Sequence, residues 1–404
     1  MGQISSTNSR IDLENASSAT PSEFYLACRN GDVELARELL AQLHAGDINR
    51  LEPNGSTALH AASFYGHRAI VEMLLQHGAK PWLMNKYQMT PYEEAANEEI
   101  RLLFHRPLQT DISRFVDDDD VNANCLELIS ERSHEGSAEH ASNNIPNGWV
   151  SGYKLIHKYF RSKDIKLIVR AQIIKYYLAR MERSDDSARQ LQKLLKQSIP
   201  YNHRDYQKAS YLFDEFCSRN NIEYLIRLYT LETDFYGALH SNVEIFTIEI
   251  YSQLQTLNQR FFQGQSYRGL SMANKDISEY EWAAKNPGTL IEIKTLTSTS
   301  VDPQIAYEFA RNKKTNNSDR HRVICQFQFD QQCCTAIDLR RNDAKKLLCL
   351  SAYENESEIL VLPGTLFEVH EVRRDSETGR FTISLQNIHV PLRTILDALK
   401  YAEA

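Results

Sequence analysis

The sequence of 404 residues lacks the features that define several classes of protein. It has no run near the roughly 18 consecutive apolar residues that a membrane-spanning helix needs. With 15 Gly and 11 Pro, it is far from collagen-like or low-complexity composition. It also contains neither a G-x-G-x-x-G segment nor a Walker loop, which argues against Rossmann and P-loop modes of nucleotide binding.

An excess of basic charge is missing too. The formal net charge is −7, and the segment from Leu108 to Ile145 alone holds nine acidic residues against two arginines. Because no basic face is left elsewhere, nucleic acid is not expected as a partner. The acidic run from Asp117 to Asp120 lacks the alternating ligands and the Gly of a calcium loop. It predicts a solvated linker, and no metal is expected.

The seven cysteines are odd in number and include no C-x-x-C pair. In the absence of a signal peptide, they predict reduced, mostly buried thiols of an intracellular, cytoplasmic protein. Cys349 could serve as a nucleophile, but no partner pattern accompanies it, and a buried thiol is the better interpretation.

The N-terminus, Met1-Gly2-Gln3-Ile4-Ser5-Ser6, fits the acceptor pattern for N-myristoylation. The alternative is a chance match within a Ser-rich segment, because residues 1–20 have the composition of a disordered tail. A single acyl chain binds membranes only marginally. Membrane association is therefore expected only if Gly2 is myristoylated.

Residues 21–107 contain an internal repeat. Gly31 and Gly66 follow similar apolar stretches, and the segment Thr57-Ala58-Leu59-His60-Ala61-Ala62 returns in weaker form from Thr90. The repeat resembles ankyrin repeats, whose signature is T-P-L-H-x-A at a period of about 33 residues. It implies an all-α stack of paired helices, two full units and a partial third. Such a stack serves either as a scaffold or as a protein-binding face.

The acidic linker covers residues 108–145, and a third region covers residues 146–404. Apolar residues recur at three and four positions from Trp149 to about His240, which predicts a helical lobe over 146–258. From Phe261 onward the period becomes two, as in Val323, Cys325 and Phe327, which predicts a strand-rich part over 259–404. The region is thus predicted to be an α+β domain.

Three short elements follow one another in the strand-rich part. They are Ser266-Tyr267-Arg268-Gly269-Leu270, Leu296-Thr297-Ser298-Thr299-Ser300 with the helical segment after Pro303, and Tyr353-Glu354-Asn355-Glu356-Ser357-Glu358. Together they resemble the mono-ADP-ribosyltransferases of the Arg, Ser-Thr-Ser, Glu-x-Glu class. The resemblance covers roughly residues 200–390 and implies a helical lobe beside a two-sheet β core.

The resemblance implies transfer of ADP-ribose from NAD, or NADP, to an acceptor with release of nicotinamide. Losing nicotinamide leaves an oxocarbenium-like ribose, which a carboxylate can stabilise. We assign that role to Glu358. Glu354, Glu356 and Glu358 are two residues apart and are therefore all expected on the same face of one strand, which leaves the register ambiguous. The Glu at position 356 resembles the residue found there in the arginine-modifying branch of this family. A carboxylate at this position can orient a guanidinium and accept its proton.

The other site residues are assigned by the resemblance. Arg268 would hold the NAD diphosphate and ribose, Gly269 would let the backbone approach nicotinamide, and Ser298 would bond to Glu358 or the ribose. Phe309 would lie against nicotinamide or in the helix core, and Tyr353 would guide the acceptor. The expected cofactor-binding set is Arg268, Gly269, Ser298, Thr299, Ser300 and Phe309.

Two rival functions remain open. One is an NAD glycohydrolase with water as the acceptor, and the other is an ankyrin adaptor whose transferase domain is degenerate. The complete set of Arg268, Ser298-Thr299-Ser300 and Glu358 counts against degeneracy. The acceptor in the leading hypothesis is a protein with an accessible arginine, and the partner of the repeats is unknown.

Overall fold

A computed structural model of the chain describes residues 20–43, 47–81, 83–87, 89–105, 150–154, 163–181, 187–201, 203, 205–231, 233–240, 242–312 and 320–403. Gly2, nearly all of the predicted disordered N-terminus and the acidic linker lie outside these described residues. None of the helices in the described part is both long and apolar enough to cross a membrane. The chain divides into two compact units, residues 1–110 with 201–211 and residues 111–200 with 212–404.

The first unit consists of short helices that begin and end at residues which favour helix termini. Ser22 and Thr57 accept hydrogen bonds from backbone N–H groups of the first turns that follow them, and Gly31 and Gly66 end two helices at φ of 80° and 77°. Only glycine adopts this left-handed conformation freely. The helices are α1 (Glu23–Asn30), α2 (Val33–Leu40), α3 (Ala58–Tyr65), α4 (Arg68–Gln76) and α5 (Glu98–Leu102).

Small and branched side chains fill the core of this unit. Ala36, Ala62 and Leu74 are fully buried within one apolar cluster that runs through all five helices. Alanines let the helix backbones approach, and leucines fill the remaining space. The predicted stack of helix pairs with Gly turns is confirmed.

The second unit combines helices with a sheet, and its helices bury apolar residues at the spacing that the sequence predicts. Val169, Ile173 and Tyr176 are buried at the predicted spacing. The helices before the sheet are α6 (Lys163–Met181), α7 (Ser187–Ser198), α8 (Tyr206–Arg219), α9 (Ile222–Thr230), α10 (Phe235–His240) and α11 (Val243–Ser252). Residues 206–211 of α8 group with the first unit and the rest of α8 with the second. The predicted start of the helical lobe is wrong, because β1 (Val150–Lys154) is a strand paired antiparallel with a distant one. Local periodicity cannot show a pairing of that kind.

The remaining strands follow a 3₁₀ segment, Leu254–Arg260. They are β2 (Phe261–Ala273), β3 (Thr289–Ile293), β4 (Thr297–Ser300), β5 (Arg320–Asp338), β6 (Glu358–Val361), β7 (Leu366–Arg374) and β8 (Phe381–Asn387). Three more helices lie among them or after them: α12 (Asn274–Lys285), α13 (Pro303–Asn312) and α14 (Leu392–Glu403). The period of two in Val323, Cys325 and Phe327 corresponds to β5, where all three side chains are buried.

The strands form one hydrogen-bonded sheet in the order β1-β3-β7-β8-β5-β2-β4-β6, with an additional pairing of β5 to β6. The expectation of two separate sheets is therefore wrong. The reason is the length of β5, which pairs with β2 from Arg320 to Ile337 and with β8 over Val323 to Gln328, while Ala336 to Asp338 also pair with β6. The pairing of β2 with β5 shifts in register near Phe262 and Gly264, and irregularities of this kind bend a strand.

Candidate active site

The four residues of β4 form the centre of the site and are all buried. This strand lies between β2 and β6, pairing Ser300 with Tyr267 on one side and with Glu358 on the other. Because side chains alternate along a strand, Ser298 and Ser300 face one way while Thr297 and Thr299 face the other.

Glu358 is the first residue of β6, and 1 % of it is exposed. Its carboxylate accepts one hydrogen bond at each oxygen. Ser298 Oγ donates to Oε1 at 2.6 Å and Ser351 Oγ donates to Oε2 at 2.6 Å. A buried carboxylate requires such donors, because an unpaired one would lose its hydration without replacement. Its position and orientation are thereby set from two sides.

Ser298 connects Glu358 to the helical lobe. The Oη atom of Tyr229, at the end of α9, lies 3.3 Å from Ser298 Oγ and 3.3 Å from the Leu296 carbonyl oxygen. A carbonyl oxygen can only accept, so the single Tyr229 proton is shared between the Leu296 carbonyl oxygen and Ser298 Oγ, whose own proton goes to Glu358. The end of α9 is thereby joined to β4 beside the carboxylate.

Arg268 lies on β2, and 3 % of it is exposed. Its Nη1 donates to the carbonyl oxygen of Ser298 at 2.9 Å. β2 and β4 pair at only one position, Tyr267 with Ser300, and they separate beside Arg268. The guanidinium thus takes a β4 carbonyl as its partner where the ladder between the two strands ends.

Thr299 and Ser300 fix neighbouring segments to β4. Thr299 Oγ1 lies 2.9 Å from Ser266 Oγ on β2 and 3.1 Å from the carbonyl oxygen of Ile359 on β6. Ser300 Oγ donates to the carbonyl oxygen of Glu356 at 2.6 Å. The Ser-Thr-Ser segment therefore holds both adjacent strands and the turn before β6.

Glu356 does not share a strand face with Glu358, so that expectation is wrong. Residues Glu354–Glu356 form a 3₁₀ turn, and Ser357 has a left-handed backbone with φ of 48°. The Ser357 carbonyl oxygen accepts a hydrogen bond from the N–H of Val301, which holds this conformation in place. Glu356 is 3 % exposed and belongs to this turn.

Gly269, Phe309 and Tyr353 are the remaining residues that the sequence predicts for the site. A Cβ atom at Gly269 would lie 1.9 Å from the backbone oxygen of Ala306 in α13, so close helix packing requires a glycine there. Phe309 lies half-buried on that same helix, and Tyr353 lies half-buried just before the 3₁₀ turn. The backbone N–H of Tyr353 donates to Ser351 Oγ at 3.2 Å. Whether these residues contact a ligand stays a prediction.

Cys349 behaves as the sequence suggests. Burial raises the pKa of its thiol far above the ordinary range, which keeps it protonated and poorly nucleophilic. Among the described cysteines, Cys217 differs from the expectation, since it is exposed. No group of three or more His, Cys, Asp or Glu residues in the described part of the chain could hold a metal ion.

Three residues of the hydrogen-bond network around Glu358 are not predicted from the sequence: Ser351, Tyr229 and Thr230. Thr230 ends α9, and its Oγ1 accepts the N–H of Ala352 at 3.0 Å. The last turn of α9 therefore holds both Ser298 and the segment that carries Ser351. The periodicity marked Tyr229 only as a core aromatic, and no motif signals a contact from an irregular segment such as Leu350 to Tyr353.

The family model described as ankyrin repeats (3 copies) matches residues 11–112. A tRNA endonuclease, ANKZF1 of Bos taurus, is 36 % identical over 107 residues, which cover 24 % of this chain and 15 % of that protein. The ankyrin repeat protein YahD of Escherichia coli (strain K12) is 38 % identical over 85 residues, covering 19 % of this chain and 42 % of YahD. The chain thus spans less than half the length of these relatives. The N-terminal unit consists of ankyrin repeats.

Solved structures with some likeness include the ADP-ribosyltransferase Vis of Vibrio splendidus in complex with agmatine, at 14 % identity and a TM-score of 0.27. This match covers 58 % of the present chain and 89 % of Vis. The type III effector XopAI of Xanthomonas axonopodis pv. citri matches at 15 % identity and a TM-score of 0.34, covering 56 % of this chain and 96 % of XopAI. Likenesses at this level carry no conclusion about function.

Proposed function

We propose that this chain is an NAD-dependent mono-ADP-ribosyltransferase that modifies arginine side chains of proteins. The observation that carries the proposal is the buried Glu358 carboxylate, held by one hydroxyl donor at each oxygen beside Arg268 and the Ser-Thr-Ser strand. A fixed anion in a site with little water stabilises a developing cation more strongly than a solvated one does. The family resemblance of the three motifs supports the same conclusion.

In the proposed reaction, the bond between the nicotinamide nitrogen and the ribose carbon breaks. Its electron pair leaves with nicotinamide, and the positive charge that develops on the ribose faces Glu358. A guanidine nitrogen of the acceptor then bonds to that ribose carbon, and Glu356 accepts the proton that the nitrogen loses. Arg268 would bind the dinucleotide diphosphate, for which its planar guanidinium is suited. NADP would be used if its extra phosphate is accommodated.

The ankyrin repeats would supply a surface for a protein partner, which is the common use of such stacks. Together the two units define an enzyme that acts on a protein brought to it by the repeats. The proposed location is the cytoplasm, with membrane association only if Gly2 carries a myristoyl group.

The test is nicotinamide release by the full chain, measured with and without agmatine as a small guanidino acceptor. Glu358→Gln should lower both NAD cleavage and transfer by about 10²–10³-fold, because it removes the charge that faces the ribose cation. Glu377→Gln is the matched control, since Glu377 is exposed in the turn before β8 and should behave like the parent.

Three other results would redirect the proposal. NAD consumption without any ADP-ribosylated agmatine identifies a glycohydrolase. No NAD consumption by the folded parent chain identifies an adaptor without catalysis. Near-normal NAD turnover in folded Glu358→Gln would move the assignment from Glu358 to Glu356.

A further inference from the structure

Ser351 contacts the same carboxylate as the Ser-Thr-Ser strand but comes from an irregular segment outside every motif. It is 4 % exposed, and its Oγ donates to Glu358 Oε2 at 2.6 Å. The Tyr353 backbone N–H points back at this hydroxyl, 3.2 Å from Oγ. Because a serine hydroxyl has one proton and free lone pairs, it can donate to Glu358 while it accepts from Tyr353.

The backbone around Ser351 is itself fixed. Thr230 Oγ1 accepts a hydrogen bond from the Ala352 N–H at 3.0 Å, while its own proton goes to the Arg227 carbonyl oxygen at 2.8 Å. The residue after Ser351 is therefore attached to α9. Thr230 belongs to α9, whose Tyr229 also contacts Ser298. One helix end therefore orients both hydroxyls that bind the Glu358 carboxylate.

We propose that Ser351 is a positioning residue that sets the rotation of the Glu358 carboxylate and couples it to the Glu354–Glu356 turn. This inference rests on the proposed function. Removing the Ser351 hydroxyl takes away its 2.6 Å hydrogen bond to Oε2, and with it a contact that fixes the rotation of the carboxylate about its last side-chain bond. A misaligned carboxylate stabilises the ribose cation less, so the effect falls on the chemical step.

The experiment compares Ser351→Ala and Ser351→Thr with the parent full-length chain, using steady-state nicotinamide release. Ser351→Ala should lower kcat about 10- to 100-fold, as expected for the loss of a hydrogen bond to a charged group. KM for NAD should change by less than about 2-fold, because Ser351 orients the carboxylate and does not bind the dinucleotide in this proposal. Ser351→Thr keeps the hydroxyl and should recover most of the parent kcat.

The control is Ser278→Ala, which removes an exposed hydroxyl that donates to the Asn274 carbonyl oxygen of its own helix at 2.9 Å. It should match the parent in kcat. Thermal unfolding of all variants separates positioning from stability, because kcat is expressed per folded molecule.

Two outcomes would overturn the role of Ser351 while leaving the proposed function intact. In one, folded Ser351→Ala keeps the kcat of an active parent. In the other, Ser351→Thr loses as much kcat as Ser351→Ala although both variants are folded. A parent chain that releases no nicotinamide would instead overturn the proposed function, and this inference with it.

Discussion

The two glutamates of the Glu-x-Glu motif have different backbone settings, although one residue separates them. Glu358 begins a strand and is held by two hydroxyls, whereas Glu356 ends a 3₁₀ turn whose carbonyl oxygen is bonded by Ser300. The left-handed Ser357 lies between them. One carboxylate is therefore part of the sheet, and the other belongs to the turn beside it, as the separate roles proposed for them require.

Glu356→Gln tests that separation. The variant keeps the size and hydrogen-bonding capacity of the side chain but loses the charge that orients a guanidinium and accepts its proton. Transfer to agmatine should fall by at least about 10²-fold, with NAD hydrolysis close to the parent rate. Both rates come from one reaction mixture, by quantifying ADP-ribosylated agmatine and free ADP-ribose. Unchanged transfer to agmatine would mean that the acceptor is a side chain other than arginine.

His60 gives the ankyrin unit a dependence on pH. It is 1 % exposed, its Nδ1 accepts the Thr57 N–H at 3.3 Å, and its Nε2 lies 3.0 Å from the Met89 carbonyl oxygen. This pattern needs the neutral imidazole with the proton on Nε2. Burial lowers the pKa of His60 to about 4, against about 6.5 for an unfolded histidine.

Because the folded pKa lies below the unfolded one, the unfolded chain binds more protons between these values, and folding free energy is lost as the pH falls. Lowering the pH from about 6.5 to about 4 should remove on the order of 3 kcal/mol of stability from the repeats. Urea unfolding at several pH values would measure this loss. In His60→Gln the same pH range should have a clearly smaller effect, and parallel pH curves for parent and variant would contradict the assignment.

At the scale of elements, the contact of β2 with α13 depends on a missing side chain. Gly269 lets the helix backbone at Ala306 approach the strand, and Ala306, Ala310 and Ile324 bury one another there. This packing explains why Ile324 is buried although it lies on the face of β5 opposite Val323 and Cys325. A helix covers the face that period-two alternation would leave in water.

Gly269→Ala should therefore displace α13, since the new Cβ would meet a backbone oxygen that cannot rotate away. Overpacking of this kind costs about 1–3 kcal/mol or more, and we expect a lower thermal midpoint together with reduced NAD cleavage. Gly78→Ala separates the two costs of replacing a glycine, because no atom lies within 4 Å of its new Cβ but its φ of 86° is strained for alanine. It should lower the thermal midpoint without reducing NAD cleavage. Equal stability of Gly269→Ala and the parent would show that the helix moves without cost.

The sequence predicted the elements whose structure depends mainly on neighbouring residues. The glycines at 31 and 66 and the alternation of Val323, Cys325 and Phe327 depend on backbone freedom and burial that neighbouring residues set. The turn at Glu356 could not be predicted, because the left-handed Ser357 is held by Val301, far along the chain. The contact of Ser351 with Glu358 and the pairing of β1 with β3 likewise depend on segments that carry no periodic signal.

At the scale of the whole molecule, the groups that form the candidate site all belong to the second unit. Tyr229, Arg268, Ser298, Ser351 and Glu358 lie within residues 212–404. The ankyrin repeats contribute none of the hydrogen bonds described for the Glu358 carboxylate.

A shortened chain that starts at Asn144 should accordingly keep ADP-ribose transfer to agmatine, within about 3-fold of the full chain. The measurement is transfer to agmatine beside transfer to proteins of a cell extract, and protein transfer should fall if the repeats select the acceptor. Because residues 201–211 group with the repeats, circular dichroism should first establish that the shortened chain is folded. Loss of agmatine transfer in a folded, shortened chain would mean that the repeats complete the site.

The additional pairing of β5 with β6 makes β2, β4, β6 and β5 a closed ring of strands, and this bears on how the molecule reaches its active state. The bond from Ser298 to Glu358 joins residues 60 apart in sequence, and the one from Tyr229 to Ser298 joins residues 69 apart. Closing the chain between such distant residues costs conformational entropy before the contact contributes stability, and this slows folding. The hydrogen bonds around Glu358 should therefore form late during refolding, together with closure of the ring and after the local helices of the repeats.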